Sequence, residues 1–184
     1  RAHMVGMSMG GMIVQILAAK YPARCHSMVS IMSTSGRRGL PTGNPQTLAM
    51  LTAQPASRER EALVELGIKV RLALAGSGYA EPEAALRAFV ERNVDRRYYP
   101  QGAARHYLAV IASGDRVELL KTIKVPTLVL HGDDDPLVPV EAGRDVAALV
   151  PGARIETFPG WGHNLPAGFL PTLTDRLAGF LKDK

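Results

Sequence analysis

Gly6-Met7-Ser8-Met9-Gly10 sets a serine at the centre of a G-x-S-x-G pattern, with Gly11 directly behind it. A serine hydroxyl is a weak nucleophile at neutral pH and needs a base within hydrogen-bond reach. Glycines two positions to either side suit a sharp turn in which side chains would collide, and such a turn forces the serine into strained backbone geometry. Gly11 would then let the following helix pack close to its neighbour, with Ser8 held at the positive end of the helix dipole. A phosphate-cradling turn is the competing reading, but the lysine and spacing of a P-loop are missing.

The base expected for Ser8 is His163, in the loop Gly160-Trp161-Gly162-His163-Asn164-Leu165-Pro166. Glycines there leave an imidazole free to swing over a sheet edge; the alternative is an exposed loop histidine with no role. His3 in a first strand, His26 beside a turn, His106 in a helical stretch and His131 at a strand end lack that placement. A working imidazole needs a carboxylate to orient it, and His131-Gly132-Asp133-Asp134-Asp135-Pro136 offers three in a row. They cannot all be buried without large cost, so at most one should pair with His163 and the others should face water. A hard-cation site is the rival, though consecutive residues converge poorly on one ion and no EF-hand spacing is present.

The elements that must position these residues can be read from the apolar pattern. Residues 2–5 read as a short buried strand, 9–20 as an apolar helix stopped by Tyr21-Pro22, and 27–33 as a second buried strand. Strand, helix, strand implies a parallel sheet with helices on its faces. A Gly/Pro-rich loop over 36–45 then leads into helical stretches at 45–53, 57–75, 82–97 and 101–112. Ser57 suits a helix N-cap, with an incomplete capping box behind it. Strand character returns at 125–130 and 153–158, and a last amphipathic helix carries Phe169, Leu173, Leu177 and Phe180. The expected division is an α/β core over 1–36 and 119–184, with a helical insertion over 37–118. Each candidate site residue follows a predicted strand, at the edge where open α/β sheets keep their sites.

Composition narrows the partners. The chain has 184 residues, 46% hydrophobic and 21% charged, which suits one domain with a real core and excludes disorder. No stretch approaches the roughly 20 apolar residues of a membrane span. A single cysteine, Cys25, excludes an intrachain disulfide and a cysteine-cluster metal site, and fits a reducing, cytoplasmic setting. The net charge of +5 is scattered, as in Arg58-Glu59-Arg60-Glu61, with adjacent basic pairs only at Arg37-Arg38 and Arg96-Arg97. That reads as a solvated helical surface rather than a nucleic-acid face. The chain opens on Arg1-Ala2-His3-Met4 and runs straight into a strand-like segment, so the sequence is expected to begin inside a fold.

Taken together, Gly6-Met7-Ser8-Met9-Gly10-Gly11, His131-Gly132-Asp133-Asp134-Asp135-Pro136 and Gly162-His163 resemble the nucleophile elbow, acid loop and histidine loop of the α/β-hydrolases. The match covers residues 2–36 and 119–183, the C-terminal two-thirds of that fold, and the insertion matches only as a cap. Ser33-Thr34-Ser35-Gly36 and Gly162-His163-Asn164-Leu165-Pro166 are similar to a bacterial branch of aclacinomycin methylesterase-like esterases. The resemblance implies Ser8, Asp135 (the aspartate before the proline) and His163 as catalytic residues, with the Met9 N–H as one oxyanion donor. It further implies a small-molecule, ester-like substrate and neither cofactor nor metal. Met7, Met9, Trp161 and Leu165 would line an apolar pocket mouth, with ordinary packing as the alternative for all four. The family's N-terminal strands are expected to be absent, leaving an unpaired edge beside residues 2–5 for the missing half or a second copy. The same three residues would also serve perhydrolysis, lactone opening or C–C bond hydrolysis. A fragment inactive without its missing half is the non-catalytic reading. A ligand-sensing pseudoenzyme is disfavoured, because all three positions are filled.

Overall fold

A computed structural model of the chain describes residues 1–182, so the expected core segment 119–184 ends two residues outside the described ones. Four strands, β1 (Ala2–Met7), β2 (Cys25–Ile31), β3 (Thr127–Gly132) and β4 (Arg154–Phe158), form one sheet in the order β1-β2-β3-β4. Every neighbouring pair is parallel, with Val5 opposite Val29, Val29 opposite Leu128, and Leu128 opposite Arg154. Parallel strands bring all four C-terminal ends to one edge, and β1 runs up to the residue before Ser8. Among the described residues β1 pairs only with β2, and Val5 on it is exposed.

Both faces of the sheet are covered, which is why β3 follows from a continuous apolar run and β2 is buried along all but one of its residues. Met28 and Val129 point to a cluster with Val14, Ala18, Leu120 and Val146. It is closed by α1 (Met9–Lys20) and α7 (Val140–Leu149). Val29, Ile31, Leu128 and Leu130 point the other way, onto Trp161, Phe169, Leu173 and Phe180. The last two belong to α8 (Leu170–Lys182). No helix among the described residues is long and apolar enough to cross a membrane.

Between β2 and β3 lie α2 (Pro45–Met50), α3 (Arg60–Ala73), α4 (Glu83–Arg96), α5 (Pro100–Ala112) and the short α6 (Val117–Leu120). Ser57 does not cap α3. Its hydroxyl accepts the Glu59 N–H at 3.2 Å in a turn ahead of a helix that starts at Arg60, because Ser side chains bond nearby backbone as readily in turns as at caps. α3 and α4 enclose a small core of Val64, Leu86 and Val90, with Ile68 and Val94 packed on it. Gly67 permits their close approach, since a Cβ there would lie 2.5 Å from a Val90 methyl. Arg60–Asp95 and Arg87–Glu61 ion pairs cross the outer surface of this pair.

A buried arginine ties the ends of this helical stretch together. The Arg116 guanidinium donates to Gln15 Oε1 and Ser113 Oγ at 3.1 Å, to the Gly114 carbonyl at 3.1 Å and to the Thr34 carbonyl at 2.9 Å. Its own N–H reaches the Ser35 carbonyl at 2.8 Å. The point where the chain leaves β2 is thereby joined to the point where it returns. Arg116→Ala would strand Gln15 and two carbonyls without donors, and we expect a loss of about 2–4 kcal/mol in urea unfolding. Arg60→Ala, which removes exposed ion pairs, should leave the urea midpoint close to that of wild type. Equal shifts for the two would contradict the pinning role.

Candidate active site

Ser8 lies between β1 and α1 at φ 54°, ψ −118°, a conformation costly for any residue with a Cβ. Gly6 permits the turn: a Cβ on it would overlap the Gly10 carbonyl. Gly10 itself meets no such crowding, since a Cβ there would find nothing within 4 Å, so only the first glycine of the pattern is required by collision. Gly11 does bring α1 close, its Cβ position lying 2.5 Å from Ser33 Cβ. The end of β2 holds the turn from behind. The Ser8 N–H donates to the Ile31 carbonyl at 2.8 Å, and the Ser33 hydroxyl donates to the Ser8 carbonyl at 2.8 Å. Met32, between them, also has a positive φ of 40°. Ser33 was not legible as part of the site, because its contact with Ser8 depends on strand pairing rather than local pattern.

The structure joins Ser8, His163 and Asp135 in one hydrogen-bonded chain. His163 Nε2 lies 2.9 Å from Ser8 Oγ, and His163 Nδ1 lies 2.7 Å from Asp135 Oδ2. A carboxylate can only accept, so Nδ1 carries the proton and Nε2 is left to accept from the serine hydroxyl. Asp135 is buried, and its Oδ1 accepts the N–H groups of Leu137 at 2.9 Å and Val138 at 2.8 Å. Burial pushes its carboxyl up, but the imidazoles of His131 and His163 and the Val138 N–H outweigh that and hold it at about 2. Asp133 and Asp134 turn elsewhere, to Arg144 at 3.8 Å and to the Ser77 hydroxyl, so the three carboxylates face three different partners.

His131 belongs to the same surroundings, although its position at a strand end gave no sign of it. Fully buried, it donates from Nε2 to the Val138 carbonyl at 2.8 Å, and that nitrogen lies 3.5 Å from Asp135 Oδ2. The bond closes the loop that carries Asp135. A Cβ on Gly143 would overlap the other side of the ring, so α7 packs directly on it. Of the residues expected at a pocket mouth, Met7 is exposed and Met9 half-buried beside Ser8, and Leu165 is half-buried. Trp161 is not at a mouth. It is fully buried, its ring centroid 4.1 Å from that of Phe169 and its Nε1–H donating to the Asn164 carbonyl at 2.7 Å. The apolar surroundings supplied by Phe158 and Phe169 draw it into the core. Met9 opens α1, so its N–H is one of the donors that a helix start leaves without an intrahelical acceptor.

A strand-turn-helix serine, a carboxylate after β3 and a histidine after β4 thus meet on one edge of a parallel sheet. A family model described as alpha/beta hydrolase fold matches residues 1–167, and the chain belongs to that family. It is 35% identical to a bifunctional esterase/perhydrolase of Acinetobacter calcoaceticus over 108 residues, covering 57% of this chain and 39% of that protein. It is 27% identical to a rhodomycin D methylesterase of Streptomyces peucetius, covering 90% of this chain and 61% of that protein. A meta-cleavage product hydrolase from Pseudomonas fluorescens IP01 shares the fold at 18% identity, with a TM-score of 0.74 over 100% of this chain and 65% of the other. The chain thus spans about half the length of the curated relatives it matches.

The carboxyl of Asp135 is held below its ordinary value of 3.8, so the unfolded chain takes up the proton first as pH falls. Its contribution, on the order of 2 kcal/mol, is complete above about pH 4 and is lost between about pH 4 and 2. The stability difference between wild type and Asp135→Asn in urea should therefore narrow over that interval. A difference independent of pH would contradict the placement of the charge.

Proposed function

We propose that the protein is a serine hydrolase acting on carboxylic esters of small molecules, with Ser8 as nucleophile, His163 as general base and then acid, and Asp135 orienting the imidazole. The observation that supports this best is the unbroken chain from Ser8 Oγ through His163 to Asp135 Oδ2, with contacts of 2.9 and 2.7 Å. Ser8 Oγ attacks the ester carbonyl carbon as its proton passes to His163 Nε2. Negative charge then gathers on the carbonyl oxygen, which would accept a hydrogen bond from the Met9 N–H at the start of α1. Collapse of the tetrahedral species expels the alcohol, which leaves with the proton from His163. Water, deprotonated by the same imidazole, then attacks the acyl-serine and releases the acid.

The helical stretch over 37–118 would serve as the cap over the acyl pocket, with Met7 and Leu165 at its lip. A second reading has one observation in its favour, the name of the Acinetobacter relative, which carries a perhydrolase activity beside the esterase one. In that reaction hydrogen peroxide replaces water in the attack on the acyl-serine and releases a peracid. Ser8→Ala should lower turnover of p-nitrophenyl acetate by about 10⁴-fold or more, and His163→Ala by a similar factor. Retained hydrolysis in Ser8→Ala would reject the nucleophile. Peracid formation on adding peroxide to the wild type, lost in Ser8→Ala, would establish the second activity on the same serine.

A further inference from the structure

The helical stretch touches the candidate site through its backbone, and the contact is unusually close. The turn after α3, residues 74–78, lies directly on the histidine loop. The His163 N–H donates to the Leu74 carbonyl at 2.7 Å, and the Gly78 N–H donates to the Gly160 carbonyl at 2.9 Å. Glycines on both sides allow this: a Cβ on Gly76 would overlap the Gly160 carbonyl, and a Cβ on Gly162 would overlap the Gly76 nitrogen. Gly160 has a φ of 78°, which suits glycine alone.

The acid loop enters the same junction. Asp134 accepts the Ser77 N–H at 3.2 Å and the Ser77 hydroxyl through one carboxylate oxygen, Oδ2. Those bonds hold its carboxyl below the usual range. Its own N–H donates to the Trp161 carbonyl at 3.2 Å, and the Asp133 N–H donates to the Phe158 carbonyl at 3.0 Å. Arg71, at the end of α3, adds a bond to the Leu165 carbonyl at 3.3 Å while paired with Glu81 at 2.9 Å. Three segments far apart in sequence therefore share one set of directional bonds, and His163 sits at their centre.

We propose that Asp134 and Ser77 are positioning residues: they lock the turn after α3 onto the histidine loop and so fix the main chain from which the His163 imidazole reaches Ser8. This gives the second aspartate of Asp133-Asp134-Asp135 a role that neither the base nor its orienting carboxylate performs. The cap acts through it on the rate of the chemical step, not only on which substrates enter. A shift of a fraction of an ångström at His163 spoils alignment with Ser8 Oγ, and misalignment on that scale costs rate steeply.

The inference rests on the roles proposed above for Ser8 and His163, and one of its tests does not need turnover. Ser77→Ala and Asp134→Ala should each speed amide hydrogen exchange at His163, whose N–H is bonded to Leu74, while the global unfolding midpoint stays near wild type. Each should lower kcat for p-nitrophenyl acetate about tenfold with KM within about twofold. The double variant should be no worse than the poorer single one. Ser77→Thr, which keeps the hydroxyl, should restore both exchange and kcat. Asp134→Asn, which keeps an acceptor oxygen, serves if the alanine loosens the whole fold, and it should give a weaker version of both effects. Unchanged exchange at His163 would overturn the proposal, as would faster exchange with wild-type kcat, or a change in KM alone. If Ser8→Ala shows the nucleophile to be elsewhere, the exchange measurement still decides whether this junction holds the loop.

Discussion

Ser8 occupies a backbone conformation that costs about 1–3 kcal/mol for a residue with a side chain, and the neighbouring structure must over-determine it to keep it there. Two hydrogen bonds from the end of β2 do so, one to its N–H and one to its carbonyl, so both peptide groups around the serine are fixed. Strand pairing supplies the rest. β1 and β2 run in register from Val5–Val29 to Met7–Ile31, which sets the Ile31 carbonyl opposite the turn. Gly6 and Gly11 then bring the helix within contact distance of the strand end. The turn held in this way sets the serine hydroxyl at the sheet edge, 2.9 Å from His163 Nε2.

The parallel sheet turns that one fixed point into a site. Its strands end on the same edge, so the loops after β3 and β4 arrive beside the turn after β1. Each loop is also closed by its own bonds: after β3, Asp135 accepts from Leu137 and Val138 and the Val138 carbonyl accepts from His131, and after β4 the Trp161 Nε1–H donates to the Asn164 carbonyl. Asp135 therefore presents Oδ2 to His163, with His131 Nε2 3.5 Å from the same oxygen. This leaves the imidazole one tautomer, with its unprotonated nitrogen toward Ser8. Charge and geometry are settled by the same contacts, since the bonds that aim the carboxylate also keep it ionised.

The G-x-S-x-G pattern, the strand and helix runs and the Gly-flanked histidine were legible because each is a local pattern with a local physical cause. Elements fell within a few residues of their expected places for the same reason. Contacts that bridge distant segments left no such trace. Ser77 and Asp134 are 57 positions apart, and Arg116 lies 101 from Gln15; Asp134 stood among the candidate carboxylates, yet nothing in the sequence pairs it with Ser77, or Arg116 with Gln15. Trp161 was misplaced because an aromatic residue between two glycines looks exposed until Phe158 and Phe169 are seen to enclose it. Gly10 was over-read in the opposite sense: it fits the motif, yet no atom lies where its side chain would be.

The helical stretch and the sheet are built on different principles, and the difference determines which substitutions reach the site. α3 and α4 carry their own apolar core, separate from both clusters that flank the sheet. Beside the ring contact of Tyr79 with Phe169, the helical stretch is tied to the sheet by directional bonds: Arg116 where the chain returns to the sheet, Leu74 and Gly78 at the histidine loop, and Ser77 at the acid loop. Apolar burial tolerates sliding, whereas a hydrogen bond weakens steeply once its distance and angle are lost. A change on the exposed face of α3 or α4 is therefore absorbed within that pair. A change at Gly76 or Gly162, where two backbones touch without side chains between them, displaces the loop that carries His163 directly. The exposed faces with the most freedom to vary thus lie only a few residues along the chain from the turn with the least.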